Sequence, residues 1–174
     1  MKVIAFAASS SRQSINKKLV TYAASLLNGV LLEILDLNDF ELPLFSVDRE
    51  KELGQPDLAK AFFEKIGQSD AILISFAEHN GSYSAAYKNL FDWCSRINPK
   101  VFQNKPMVLL ATSPGARGGS GVLDMAVNSM PRFSGDVRAS LSVPSFYDNF
   151  DVENGKLSNS EIDAQLVAAV NSLQ

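Results

Sequence analysis

Three polar stretches carry the residue types that hold small anions and flat polar rings. The first is SSSRQSIN, residues 9–16. Its serine hydroxyls donate hydrogen bonds, and Arg12 adds a charge-assisted donor. A short apolar run, residues 3–7, precedes it. A helical pattern follows, with Ile15, Leu19, Tyr22, Ala23 and Leu26 on one face. A hydroxyl-rich loop between a strand and a helix N-terminus is a natural phosphate site, because the first helical turn offers unpaired N–H groups and the positive end of the dipole. A plain capped turn, with Ser14 as N-cap and Arg12 in water, fits the same residues. The second stretch is AEHNGS, residues 77–82, and offers Glu78, His79, Asn80, Gly81 and Ser82. The third is TSPGARGGSG, residues 112–121, whose small residues leave backbone N–H groups open to a ligand.

Several phosphate chemistries are excluded. No G-x-x-x-x-G-K-[ST] motif occurs. No glycine lies between Met1 and Gly29, so the G-x-G-x-x-G dinucleotide turn is absent. Asp36 ends the second apolar run, where a ribose-binding acid would stand, but it has no glycine turn to work with. Net charge is −3 with no basic block, which argues against nucleic acid or an anionic membrane as partner. Cys94 and His79 are the only cysteine and histidine, so no His/Cys metal site and no internal disulfide are expected. The N-terminal apolar run is too short for a signal core or a membrane span, which leaves a cytoplasmic location as the expectation.

The elements that must position these stretches follow from periodicity. Residues 30–35, 71–76, 106–111 and 137–141 read as strands after the first, with 71–76 apolar enough to be covered on both faces. Asn28-Gly29 stops the first helix, with Gly29 in the left-handed C′ position. Residues 37–55 show neither helical nor strand period. Asp57 is the expected N-cap of a helix whose period is carried by Leu58, Ala61, Phe62, Lys65 and Ile66. The helix over residues 83–96 is apolar on more than one face, which predicts contact with another subunit. A helix carrying Val122, Leu123, Ala126 and Met130 ends at Pro131. Residues 142–156 are irregular and contain Phe146, Tyr147 and Phe150. Ser160 opens a capping box with Asp163 in the N3 place, and Ile162, Leu166, Val167, Val170 and Leu173 carry the last helix. Cys94 lies inside a helix with no base near it in sequence and is assigned no catalytic role.

Strand and helix alternate along a single domain, residues 1–174, of which 46% of residues are hydrophobic. Right-handed crossovers then give an α/β fold, a five-stranded parallel sheet in the order 2-1-3-4-5 with helices on both faces. Ligands bind such sheets at the switch point beyond the strand ends. The three polar stretches follow strands 1, 3 and 4, so they converge there. A ligand with a phosphate at one end and a flat polar edge at the other suits them, and FMN meets that description.

The same residues resemble the NAD(P)H-dependent FMN reductase family, the flavodoxin-like quinone, chromate and azo-dye reductases. The family's first loop reads G-S-x-R-x-x-S-x-N, and residues 9–16 are similar but lack the glycine and are one residue shorter. Its second reads P-E-Y-N-x-S and continues into K-N-x-x-D-W. Here Ala77 replaces the proline and His79 the tyrosine, and Lys88, Asn89, Asp92 and Trp93 match the helix. Its third, S-x-G-x-x-G-G, is matched from Ser113 to Gly119. The resemblance implies that Ser10, Arg12, Ser14, Ile15 and Asn16 cradle the FMN phosphate. It implies that Glu78, His79, Asn80, Gly81 and Ser82 contact the ribityl chain and ring edge, and that Ser113, Gly115, Arg117 and Gly118 border the ring. It implies an FMN-dependent oxidoreductase that moves hydride from NADPH or NADH to a quinone, azo dye, metal oxyanion or free flavin by a ping-pong route. No catalytic side chain and no metal are expected, because the flavin carries the chemistry. A homodimer or homotetramer is implied, with the helix over residues 83–96 at an interface. An electron-carrier flavodoxin and a cofactor-free interaction domain are the alternatives on this fold.

Overall fold

A computed structural model describes the whole chain, residues 1–174. Along it run β1 (Lys2–Ala8), α1 (Ile15–Ser25), β2 (Leu31–Leu35), α2 (Val47–Leu53), α3 (Asp57–Gln68), β3 (Ala71–Phe76), α4 (Ala85–Ile97), β4 (Lys105–Thr112), α5 (Ser120–Ser129), β5 (Gly135–Val143), α6 (Phe146–Asn149), β6 (Phe150–Asp151), β7 (Lys156–Leu157) and α7 (Ser160–Asn171). The five long strands form one parallel sheet in the order β2-β1-β3-β4-β5, as expected. Alternate residues of β1 go to opposite cores, Ile4, Phe6 and Ala8 to one side and Val3, Ala5 and Ala7 to the other. The first core packs α3, α4 and α5 on the sheet, and the second packs α1 and α7. With both faces covered, β1 and β3 read as nearly continuous apolar runs, broken by Lys2 at the start of one and Ser75 near the end of the other.

Several local expectations are corrected. The chain between Leu37 and Gln55 holds a 3-10 turn, Leu37–Phe40, and the helix α2, capped by Ser46. No residue of α2 is buried, so it leaves no hydrophobic period to read. The N-cap of α3 is Pro56, and Asp57 occupies the first helical position. Its buried face is Ala59, Phe62 and Ile66, and Leu58 is exposed. Gly29 has positive φ but lies beyond the C-cap, which is Leu26. β5 has nine residues because its ends pair fully with β4. The stretch after it forms α6 and a small β6–β7 hairpin. Asn159, not Ser160, caps α7 and accepts from the Glu161 and Ile162 N–H groups. This frees Asp163 to accept from the Tyr22 hydroxyl at 2.6 Å.

The second apolar face of α4 is filled largely from its own chain. Phe91 meets Phe133 edge-on at 4.7 Å and stacks on Phe102 at 5.9 Å. The Tyr87 ring sits edge-on to Phe76 at 5.4 Å. Cys94 is buried, and burial pushes its thiol up to about 12, which keeps it protonated and unreactive.

The end of β2 is tied to α1 by Lys17, whose ammonium lies 2.5 Å from Asp36. That hydrogen bond, with help from the Asn38 N–H, holds the Asp36 carboxyl well below its ordinary range, at about 2. A depressed carboxylate stabilises the fold above its unfolded pKa, and the contribution is lost as pH falls through the folded one. The pair is about a third exposed, so its worth is that of a screened surface pair, roughly 0.2–1 kcal/mol. Asp36→Asn is therefore expected to lower unfolding stability by that amount at neutral pH. Urea titrations of both proteins should converge between about pH 4 and pH 2.

Candidate functional site

The loops after β1, β3 and β4 meet over the carboxyl ends of the strands, around a cleft of about 250 Å³. Its floor is set by Asn16, the second residue of α1, whose side chain is buried and points inward. Asn16 Nδ2 donates to the Thr112 carbonyl at 3.2 Å. Its Oδ1 accepts from the Thr112 N–H at 3.0 Å and from the Ser75 hydroxyl at 2.7 Å. One amide thus joins the start of α1 to the ends of β3 and β4. Thr112 Oγ1 then donates to the Val143 carbonyl at 2.7 Å, carrying the link to β5. Ser84, the N-cap of α4, donates to the Ala8 carbonyl at 2.8 Å and ties that helix to the end of β1.

Ser14 is the N-cap of α1, as expected; its hydroxyl accepts from the Lys17 N–H at 3.1 Å. The N–H groups of Ile15 and Asn16, first in the helix, have no acceptor within it and open toward the cleft rim. Ser9 and Ser11 turn the loop by accepting from the N–H groups of Ser11 and Gln13. Capping therefore leaves room for an anion: the Ser14 hydroxyl takes the Lys17 N–H, and those of Ile15 and Asn16 have no partner within the helix.

Glu78 lines the cleft and also has a structural task. Its Oε1 accepts from the Val122 N–H at 3.1 Å, in the first turn of α5. The N-cap of α5 is Gly119, in the left-handed region, and has no side chain to offer. Glu78 supplies the missing cap from another loop, and a Cβ at Gly121 would collide with it. Asn80 and Gly81 both have positive φ and form the tip of a two-residue turn closed by His79 and Ser82, with N···O distances of 2.9 and 3.1 Å. The turn projects His79 and Ser82 as exposed groups. Gly118 also has positive φ, and a Cβ there would sit 2.5 Å from the Ser142 hydroxyl.

Of the residues inferred for the cofactor, Ser14, Ile15, Asn16, Glu78, His79 and Ser113 line the cleft. Asn80, Gly81, Ser82, Gly115, Arg117 and Gly118 shape the loops around it without lining it. Ser10 faces a neighbouring cleft between the Leu37–Phe40 turn and α4, and Arg12 lies in a groove along α1. Ser9, Ser11, Gln13, Thr112, Pro114 and Tyr147 line the cleft and escaped the residue-by-residue reading. Tyr147 is 65% exposed on α6, and a large aromatic left in water two residues after Ser145 was the signal available for it.

The matched helix motif also has a structural meaning. Asn89 Oδ1 accepts from the Phe45 N–H at 2.8 Å, and Nδ2 donates to the Leu42 and Pro43 carbonyls. Trp93 Nε1 donates to the Pro43 carbonyl at 2.7 Å. Lys88 and Asp92 pair on the outer face of α4. The motif pins the loop after β2 onto α4, beside the cleft that holds Ser10.

Sheet order and converging loops define a flavodoxin-like fold, with an open cleft at the switch point between β1 and β3. Residues 1–146 match the family described as NADPH-dependent FMN reductase. A quinone reductase from Pseudomonas putida is 34% identical over 132 residues, 69% of each chain. An NADPH:quinone oxidoreductase from Arabidopsis thaliana is 38% identical over 91 residues, which is 52% of this chain and 45% of that one. The matched stretch thus spans about half of the plant protein. Among solved structures, the flavoenzyme NAD(P)H:(acceptor) oxidoreductase FerB of Paracoccus denitrificans superposes with a TM-score of 0.78 at 23% identity, covering 99% of this chain and 94% of that one. The chain belongs to the NADPH-dependent FMN reductase family. That family is one of oxidoreductases, with FMN as the flavin and reduced nicotinamide as the donor.

The donor set suits FMN. Two free helix N–H groups and serine hydroxyls stand at one end of the cleft, where a phosphate needs them. Backbone and small side chains from Thr112 to Pro114 stand at the other, where a flat ring needs close approach. Asn16→Ala is expected to remove the amide that joins both ends. It leaves the Thr112 N–H and the Ser75 hydroxyl buried and unpaired, at about 1–3 kcal/mol each. Chemical unfolding should report the lost stability. Fluorescence titration with FMN should report weaker binding even for protein that remains folded.

Proposed function

We propose that this chain is an FMN-dependent reductase that takes hydride from NADPH or NADH and passes it to a small acceptor of the quinone class. Family membership supports the cofactor and the donor. The quinone reductases and the NADPH:quinone oxidoreductase among its relatives support the acceptor class. The observation that carries the reading is the cleft over the ends of β1, β3 and β4, lined both by the start of α1 with its serines and by the low-bulk stretch from Thr112 to Pro114.

FMN, when bound, supplies the two-electron chemistry. The protein's own residues hold and orient. Ile15 and Asn16 present N–H groups to the phosphate, with Ser11 beside them. Asn16 keeps that end in register with the Thr112–Pro114 wall. Glu78 fixes the second loop against the third, so the two sides of the ring site move together. Tyr147 stands at the open rim, where donor and acceptor enter. Donor and acceptor use the loop cleft in turn, which gives ping-pong kinetics. The reading places the protein in the cytoplasm, where reduced nicotinamides are made; no helix is long and apolar enough to cross a membrane.

The visible absorption spectrum tests this reading. Protein soaked in FMN and desalted is expected to keep flavin bands, and anaerobic NADPH or NADH to bleach them. Initial rates with a benzoquinone should give parallel double-reciprocal lines. Bands that persist with both nucleotides favour an electron carrier, and a colourless protein after soaking removes FMN. Self-association is proposed through the apolar cleft of about 360 Å³ that Tyr83, Phe91 and Met125 leave open between α4 and α5. Sedimentation equilibrium should then show a dimer or tetramer, and Met125→Glu should lower its mass.

A further inference from the structure

The largest concavity in the protein is not the loop cleft. It is a groove of about 470 Å³ between α1 and the β6–β7 hairpin. Arg12, Lys17 and Lys18 line it, and no acidic residue does, in a chain whose net charge is −3. Lys17 is neutralised by Asp36. Arg12 and Lys18 take part in no ion pair. Two uncompensated cations therefore face one groove.

The groove is apolar where α1 meets the hairpin. Tyr22 meets Phe150 edge-on, with ring centroids 6.1 Å apart, and Val152 lies exposed beside them. Asp163 holds the Tyr22 hydroxyl at 2.6 Å, and burial with that hydrogen bond raises the phenol to about 12. The ring is thus fixed and neutral, a wall rather than a further charge. Gln13 and Ser14 border both this groove and the loop cleft, so the two concavities adjoin.

We infer that this groove is a second nucleotide subsite, which takes the purine ribose 2′-phosphate end of a dinucleotide whose other end enters the loop cleft. Arg12 and Lys18 bind the phosphate, Arg12 through its planar fork and Lys18 as a point charge. The fixed Tyr22 ring and Val152 give the purine an apolar face. A groove of this size holds one such moiety and not a polymer. The inference deepens the reductase reading and rests on it: it makes NADPH the preferred donor over NADH, a choice made by Arg12 in the first loop and Lys18 on α1.

The test compares 2′,5′-ADP with 5′-ADP, which carries as many phosphates but none on the 2′-oxygen. Calorimetric titration into FMN-loaded protein is expected to show 2′,5′-ADP binding about tenfold more tightly. Amide shifts in NMR spectra should cluster at Lys18, Tyr22 and Val152. Lys18→Glu and Val152→Glu, one on each wall, should each weaken 2′,5′-ADP about tenfold and lower the NADPH-to-NADH ratio of kcat/KM. FMN uptake should be unchanged in both. Equal binding of the two nucleotides, shifts elsewhere, or two variants that keep wild-type affinity would overturn the inference. The two readings fail separately. Bleaching by NADPH with both variants indifferent removes the groove and leaves the reductase. Tight 2′,5′-ADP binding in the groove without bleaching removes the reductase and leaves a nucleotide site.

Discussion

One buried amide holds this structure's working end together. Parallel strands stop at the top of the sheet, and each is followed by a loop with no obligation to its neighbours. Asn16 imposes one. Its donor and acceptor are both used, on both backbone groups of Thr112 and on the Ser75 hydroxyl. Only a carboxamide offers both kinds of atom at that length; aspartate has no donor, and glutamine is a methylene too long. For groups this buried, an unpaired polar atom costs more than a satisfied one contributes, so the arrangement is close to all-or-none. Ser84, Thr112 and Glu78 extend the same logic to α4, β5 and α5. The loops are aligned by side chains that join them to one another.

This division of labour recurs. Asn89 and Trp93 look like site residues in a motif, and both are spent on the backbone of Leu42, Pro43 and Phe45. Glu78, which looks like a ring contact, is a helix cap supplied across 44 residues of sequence. What remains for a ligand is mainly backbone: the first N–H groups of α1 and the small residues after β4. A flavin asks for little more, because its reactivity is its own and the protein's part is placement and potential.

These findings explain what was and was not legible in the chain. The sheet was readable because β1 and β3 are covered on both faces and therefore apolar at nearly every position, Lys2 and Ser75 excepted. α2 was not, because all seven of its residues stay at the surface and carry no period. β5 was read too short because, as an edge strand, it alternates between exposed and half-covered residues, with Asp136 and Arg138 paired at its start. The position of the site was legible from topology alone. The direction of individual side chains was not: Asn16 turns inward and Arg12 turns along α1, and nothing in an eight-residue motif distinguishes the two. Caps shifted by one residue, at Pro56 and Asn159, changed no helix but released Asp163 for Tyr22.

The strand order carries a cost in time. β1 is made first, yet it lies between β2 and β3, and Val3 meets Ala71 only after 68 further residues exist. At about 5–20 residues per second, a ribosome needs several seconds to supply that partner. Through that interval one edge of an apolar strand, Val3 to Ala8, is without its neighbour. α1 follows at once and buries Leu19, Val20 and Ala23 against the face of β1 that bears Val3, Ala5 and Ala7. The opposite face and the open edge wait for α3 and β3. Early docking of α1 therefore shelters half of the most aggregation-prone segment during synthesis, and the helix that presents the phosphate donors is also the strand's first protector.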